Sequence, residues 1–508
     1  MKVLLVRTDL RTGLECGYVA PLGILYLAAV AERQGHEVRV VDLGLFSRVA
    51  DVGRHLENAA SWRPDVVGLS GLSASAAPFR IVAEFFRRRA PTALILAGGP
   101  FASSENDDIL SNGWADYCVF GEGEGPLLAV LDRRARGESP DDLPALSHRR
   151  GGAIVDNPPR DFIGDLDALP FPAWRHHDFA RARWLPGFSG YAVPNAPVYS
   201  SRGCPFECIF CHNFFGRRFR ARSAENTLAE IGLLRSRYGV RLIEFIDDFF
   251  NFDRERTLAI LRGIAERYPD LRIALTNGVR GDMLDEEIIE HIKRANCVQI
   301  GVAVETVSPR LQKLIRKNLD LEKLKETLRL LRKHRIQGVH TFFITGLPTE
   351  TAAEAQAIRR FVAEQDLDYP LLFIAMPFNK KSPLYQMIPP DRLAAAKKEE
   401  GYCDYRWGNL TFGELPYAEL EKMQMEFFLR RMLRRRNLPR FLSLVRGLLF
   451  RFFFRGDWMA LRWIVEHLAL RGSGENVDRA RQRKLQKKRR DMQRLAAALG
   501  VAPARPTP

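Results

Sequence analysis

The sequence predicts an α/β protein in three parts: a doubly wound parallel sheet, a second set of six βα units making a partial barrel, and a basic, mainly helical C-terminal region. Three observations carry the prediction. Short β-branched and aliphatic runs recur through the first 400 residues, most of them ending in Gly-, Ser- or Asp-containing turns. Helix-patterned segments separate these runs, which implies right-handed crossovers and parallel pairing. Charge is the third: residues 425–508 hold 21 basic and 6 acidic side chains, nearly all of the whole-chain excess of +16. The basicity belongs to the tail and carries no information about chemistry upstream.

In chain order, a strand at 2–7 leads into a polar turn, Pro21, Leu22 and Gly23 open an Ala-rich helix running to 34, and Gly35 closes it. A strand at 37–41, a helix at 49–60, a strand at 65–69 ending in Ser70-Gly71, and a helix at 78–89 follow. A strand at 93–97 ends in Gly98-Gly99-Pro100, and one at 116–120 ends in Gly121-Glu122-Gly123-Glu124-Gly125. Ligands of such sheets bind beyond the carboxyl ends of the strands. Glycines there let a large ligand approach backbone amides, although they also serve as ordinary tight turns. The Gly121–Gly125 run follows the last strand and not the first, so it speaks against a dinucleotide site.

With 508 residues, 46% hydrophobic and 27% charged, the chain has room for about three domains. The expected divisions are 1–140, a Pro-rich linker at 141–195, the barrel at 196–400 and the basic region at 401–508. The N-terminus lacks a signal-peptide pattern and no apolar run reaches ~20 residues, so a cytoplasmic protein is expected. Of seven cysteines, Cys16, Cys118, Cys297 and Cys403 are scattered and read as packing residues. Cys204, Cys208 and Cys211 cluster as CxxxCxxC on one loop after a strand at 197–200. Three thiolates so spaced can each hold one iron of a 4Fe-4S cluster and leave the fourth iron open to substrate. Zinc held by these cysteines and His212 is the alternative, weakened because all four candidates lie within nine residues.

CxxxCxxC with an aromatic residue, Phe210, before its last cysteine resembles the radical S-adenosylmethionine (SAM) enzymes. Strands at 242–246, 272–275, 298–304, 340–344 and 371–376, separated by helices, agree with the family's TIM-like (β/α)6 partial barrel, whose chemistry sits at the strand carboxyl ends. The resemblance implies that Asp247 or Asp248, Arg280 and Glu305 hold SAM. A zwitterionic methionine moiety needs a carboxylate near its ammonium and a cation near its carboxylate. Residues 346–351 depart from the family's GlPGET pattern at Thr349, where glycine is usual.

Pro21-Leu22-Gly23, Gly98-Gly99-Pro100 and Gly121-Glu122-Gly123-Glu124 are similar to the Rossmann-like domain of the cobalamin-binding subgroup, so the resemblance spans about the first 400 residues. It implies cobalamin contacts at Pro21, Gly23, Ser70, Gly98, Gly99, Gly121, Glu122 and Gly123. The DxHxxG motif that elsewhere supplies an imidazole to cobalt is absent. The implied activity is reductive cleavage of SAM to a 5′-deoxyadenosyl radical, hydrogen abstraction from an unactivated carbon, and methyl transfer from methylcobalamin. Cyclisation or rearrangement on the same scaffold is the alternative, and a cobalamin sensor or carrier would have no use for the cluster loop. Expected partners are a small-molecule, lipid or peptide substrate and an electron donor such as flavodoxin or ferredoxin. No nucleic acid is expected, because no recognisable nucleic-acid-binding module is present. Residues 425–470, apolar with interspersed arginines, suit either peripheral membrane contact or docking on the barrel. Residues 479–490 read as a solvated helix.

Overall fold

The computed structural model describes residues 1–10, 18–46, 48–183, 185, 187–191, 193–212, 214–377, 379–393, 411–433, 486 and 489–502. The first sheet contains β1 (Lys2–Arg7), β2 (Glu37–Asp42), β3 (Val66–Ser70), β4 (Leu94–Gly98), β5 (Tyr117–Val119), β6 (Leu146–Arg150) and β7 (Ala153–Asp156). Their order is β2-β1-β3-β4-β5-β6-β7, parallel through β5 and antiparallel thereafter. Val3, Leu4, Leu5 and Val6 are all buried, as a central strand covered on both faces requires. The order places a topological switch between β1 and β3, with its crevice at their carboxyl ends.

Two helices and a hairpin of the first domain lie where none was predicted. Helices Gly99–Ser111 and Glu124–Ala135 start inside the glycine runs, the first with Pro100 in its opening turn. The β6–β7 hairpin occupies part of the expected linker and turns on Gly151 and Gly152, both at positive φ. The first sheet therefore extends to Asp156, beyond the expected boundary at 140.

The second sheet is built from β8 (Asn195–Val198), β11 (Leu242–Phe245), β12 (Arg272–Val279), β13 (Cys297–Glu305), β14 (Val339–Thr345) and β15 (Tyr369–Ile374), all parallel in the order β15-β14-β13-β12-β11-β8. Two short strands, β9 (Ser201–Arg202) and β10 (Arg220–Ala221), pair across the base of the cysteine loop. Ile243, Phe245, Ile273, Leu275, Ile300 and Val302 point outward into a core shared with the crossover helices. Those helices begin where the sequence supplies side-chain caps, among them Ser223, Asp253, Asp285, Asp320 and Thr351.

Helix Leu22–Arg33 joins the two sheets, because its Leu22, Leu25 and Tyr26 belong to the barrel's outer core. At the other end of the chain, helix Tyr417–Leu433 lays Leu420, Met423 and Phe427 over the outside of β14 and β15. A terminal helix at 489–498 buries Leu495 and Ala496 in the first domain's core together with Val52, Leu56 and Phe85; of the stretch 479–490 expected as a solvated helix, the described residues 486, 489 and 490 are exposed. Of the stretch 425–470, expected either at a membrane or docked on the barrel, residues 434–470 lie outside the described residues, as do Cys16 and Cys403. Among the described residues, no helix is long and apolar enough to cross a membrane.

Candidate active site

Gly203 enters the cysteine loop at φ +84°, with a Cβ there only 2.3 Å from the Arg218 carbonyl oxygen, so only glycine lets the loop close on β10. Cys204, Cys208 and Cys211 are free thiols at the carboxyl ends of the barrel strands. Partial burial pushes the Cys204 and Cys208 thiols up, with Lys317 opposing at both and the neighbouring Cys204 adding at Cys208, while Cys211 is exposed. The thiols are thus electrically coupled to one another. They are nevertheless not gathered as for one small ion: among the described residues, the sole group of three or more His, Cys, Asp and Glu ligand atoms within 4.8 Å of one another is Glu286, Glu290 and His334. Tetrahedral zinc with bonds of about 2.3 Å would draw its ligands to within roughly 4 Å. A cubane, which takes one thiolate per iron, does not require the three sulfurs to converge on one point. His212 stacks on Phe214 at 4.6 Å between centroids.

The four residues expected at SAM all lie at this mouth, but in different states. Asp247 is buried and accepts from the Ser200 N–H, Ser200 Oγ and Ser201 Oγ at 3.0, 2.7 and 2.5 Å, with Oδ2 left unpaired. It braces the strand ends. Asp248 is more accessible, accepts from the Gly203 N–H at 3.2 Å, and has its carboxyl raised by burial with His212 opposing. Arg280 is bidentate to Asp282 at 2.9 and 3.1 Å, donates to the Lys317 and Asn318 carbonyls, and lies 4.0 Å over the Phe206 ring of the cysteine loop. Glu305 pairs with Lys317 at 2.9 Å and sits at φ +66° where β13 bulges against β14. A non-glycine residue held there signals local strain of the kind that collects at functional sites. Lys317, missed in the sequence, links this carboxylate to the thiols; its position on an irregular turn between two helices gave no signal.

At the first sheet, Thr8 N–H donates to the Ser70 carbonyl at 2.9 Å, closing β1 against β3. Gly99 stands at φ +79°, and a Cβ there would meet Ser70 Oγ at 2.5 Å. Gly98 and Gly23 have nothing within 4 Å of where a Cβ would be, leaving the backbone open, and Pro21 precedes the helix at its N-cap. Such close-set, open strand ends fit a large planar ligand, and the segment after β1 contains no histidine to offer its metal. Gly121 is at φ +68° beside Phe162 and the Phe214 carbonyl, and Gly123 caps helix Glu124–Ala135 against Leu27.

Glu122, expected at cobalamin, is committed within the protein. Its carboxylate is buried and bound to Arg202 and Arg220 at 2.9 and 2.8 Å, while Glu124 takes the other arm of Arg202 at 2.7 Å. Arg202 is two residues before Cys204, so these carboxylates tie the cysteine loop to the carboxyl end of β5. Lys380, bonded to Asp108 at 2.6 Å and also to Glu105, makes a second link between the domains. A cavity of about 830 Å³ lies beside this seam, lined by Arg33, Gly121, Arg160, Phe162, Phe214 and Lys381 among others, and by none of the three cysteines.

Residues 198–362 match the radical SAM superfamily, and residues 16–131 match the B12 binding domain. The chain is a B12-binding radical SAM enzyme. Its cofactors are accordingly a 4Fe-4S cluster, SAM and cobalamin. An uncharacterized methyltransferase of Pyrococcus horikoshii is 28% identical over 74% of this chain and 81% of its own length. The cytidylyl-2-hydroxyethylphosphonate methyltransferase of Streptomyces wedmorensis is 27% identical over 73% of this chain and 76% of its own. In fold, this radical SAM enzyme is similar to the cobalamin-dependent SAM radical enzyme OxsB with aqua-cobalamin bound, at TM-score 0.66 and 17% identity over 98% of this chain and 80% of the other.

Proposed function

We propose that the enzyme methylates an unactivated carbon of its substrate. The supporting observation is that the cysteine loop and the open strand ends of the B12 domain are locked together by the Glu122, Glu124, Arg202 and Arg220 ion pairs. When bound, the cluster with SAM supplies a hydrogen-abstracting radical and the corrinoid a methyl group, which protein side chains cannot supply. The chain's part is placement. Cys204, Cys208 and Cys211 hold three irons and leave one free for SAM, with Lys317 and Arg280 offsetting the thiolate charge. Asp248 is the accessible carboxylate for the SAM ammonium, and Glu305 with Lys317 offers a second polar pair at the same mouth. Arg280, already committed to Asp282, acts as a brace over Phe206 and reaches SAM only through groups it holds.

Enzyme reconstituted without oxygen with iron, sulfide and hydroxocobalamin, then given SAM and a strong reductant, should contain about four irons per chain. It should form both 5′-deoxyadenosine and S-adenosylhomocysteine, and Cys208→Ala should lose the former. A bound corrinoid with a base-off spectrum is expected. Stoichiometric zinc would overturn the cluster, while 5′-deoxyadenosine with no S-adenosylhomocysteine would replace methyl transfer by cyclisation or rearrangement.

A further inference from the structure

Below the cysteine loop the barrel lumen has an apolar wall that no residue discussed so far uses. Register and alternation divide β13, β14 and β15 into two faces. Val302, Phe343 and Leu372 belong to the outer core, whereas Ala303, Phe342, Ile344, Leu371 and Phe373 face the lumen. The outer three are buried, while all five lumen residues are partly accessible and Phe373 is 49% exposed. Phe342 and Phe373 meet edge to face with centroids 6.1 Å apart. Two glycines on the neighbouring strands make room for this pair: a Cβ on Gly301 would stand 2.7 Å from the Phe342 ring, and one on Gly278 3.3 Å. Larger residues at either place would fill the lumen from inside.

The same face also carries polar atoms with no partner. Gln299 registers with Ala274, which registers with Glu244, so all three share the lumen side. Glu244 is already occupied by the Phe188 and Ser189 N–H groups at 3.1 and 2.9 Å. Gln299 Oε1 and Thr276 Oγ1 are buried and unpaired, on residues that are 3% and 8% exposed. A buried oxygen left in this state is costly unless something donates to it.

We infer that the lumen is a subsite for a substrate with a flat apolar body, aromatic or otherwise unsaturated, lying on Phe342 and Phe373, and with an N–H or O–H group directed to Gln299 and Thr276. This rests on the reaction proposed above for calling the occupant a substrate. A strongly charged substrate would exchange its water for phenyl rings that return no hydrogen bonds. Aromatic rings instead stack on one another at the separations these two side chains already use.

The test uses 1-naphthol as the probe, titrated calorimetrically into the full-length, cluster-loaded enzyme with SAM present and oxygen absent. Saturable one-to-one binding is expected. Phe373→Asp should weaken it at least tenfold, and Phe373→Leu, which keeps an apolar side chain, less than about threefold, each at wild-type iron content. Absence of saturable binding in the wild type, or equal affinity in Phe373→Asp, would overturn the subsite. Naphthol binding, together with 5′-deoxyadenosine but no S-adenosylhomocysteine in the separate corrinoid-loaded, reduced assay above, would refute the methyl-transfer reading and leave the subsite standing; S-adenosylhomocysteine in that assay without naphthol binding would refute the subsite alone.

Discussion

Glu350 shows how one buried carboxyl sets a pH dependence. It is 2% exposed, its Oε2 accepts from Thr345 Oγ1 at 2.9 Å and from the Gly346 N–H, and its Oε1 has no partner. Burial pushes it up to about 7 against those two bonds. The folded chain then binds the proton more tightly than the unfolded chain, so stability falls as pH rises from about 4.5 through about 7 and is level above that. Glu350→Gln should remove that decline, gaining up to about 3 kcal/mol relative to wild type at pH 8 and much less at pH 5. Thermal unfolding of both proteins across this range would decide it. One residue earlier, Thr349 replaces the family's usual glycine and pays in backbone strain at φ +62°, where Arg310 holds its Oγ1 and carbonyl at 3.0 and 2.7 Å. Thr349→Gly should therefore raise unfolding free energy by roughly 1 kcal/mol, less whatever the exposed Arg310 bond returns. Urea titration measures the balance.

At the scale of elements, the cysteine loop is positioned by β9, β10 and the segment after β5. Arg202, Arg220 and Glu122 are each at most 5% exposed in their side chains, so removing one partner strands a charge. Glu122→Ala should destabilise by about 3–5 kcal/mol. Glu122→Gln, which can still accept from both arginines, should cost clearly less. Chemical unfolding separates the two, and a wild-type-like Glu122→Ala would show that the seam is not held there. Any loosening should also be visible as a change in magnetic interaction between a reduced cluster and a cobalt(II) corrinoid.

The whole molecule is closed at both ends of the chain. Helix Leu22–Arg33 shares the barrel core, and the terminal helix returns to cover the first domain, where Arg88 and Arg80 donate to the Gly500 and Ala502 carbonyls. Leu495 is fully buried in that contact. Leu495→Asp should cost at least the 2–5 kcal/mol typical of losing a buried leucine. Hydrogen exchange should rise in helices Val49–Ser61 and Ala76–Arg89 with little change in the barrel. Unchanged exchange there would mean that the tail is not part of the first domain's stability.

The sequence by itself determined the parallel α/β architecture, the six barrel strands and the three-cysteine loop at their carboxyl ends. Alternating apolar runs and a loop of three cysteines are local patterns, and their chemistry does not depend on distant neighbours. It also marked Gly99 and Thr349, because backbone conformation at a turn is a local property. The partners of Glu122, the commitment of Arg280 to Asp282, the placement of Lys317 beside Glu305, and the inward face of the terminal helix were decided only by tertiary structure. Each depends on a residue from 2 to more than 400 positions away, and a charged side chain in a sequence reads the same whether it faces a ligand or a buried counter-ion. The lumen wall belongs to the same class: Phe342 and Phe373 look like ordinary core residues until β-strand register turns them toward the space that Gly278 and Gly301 leave open.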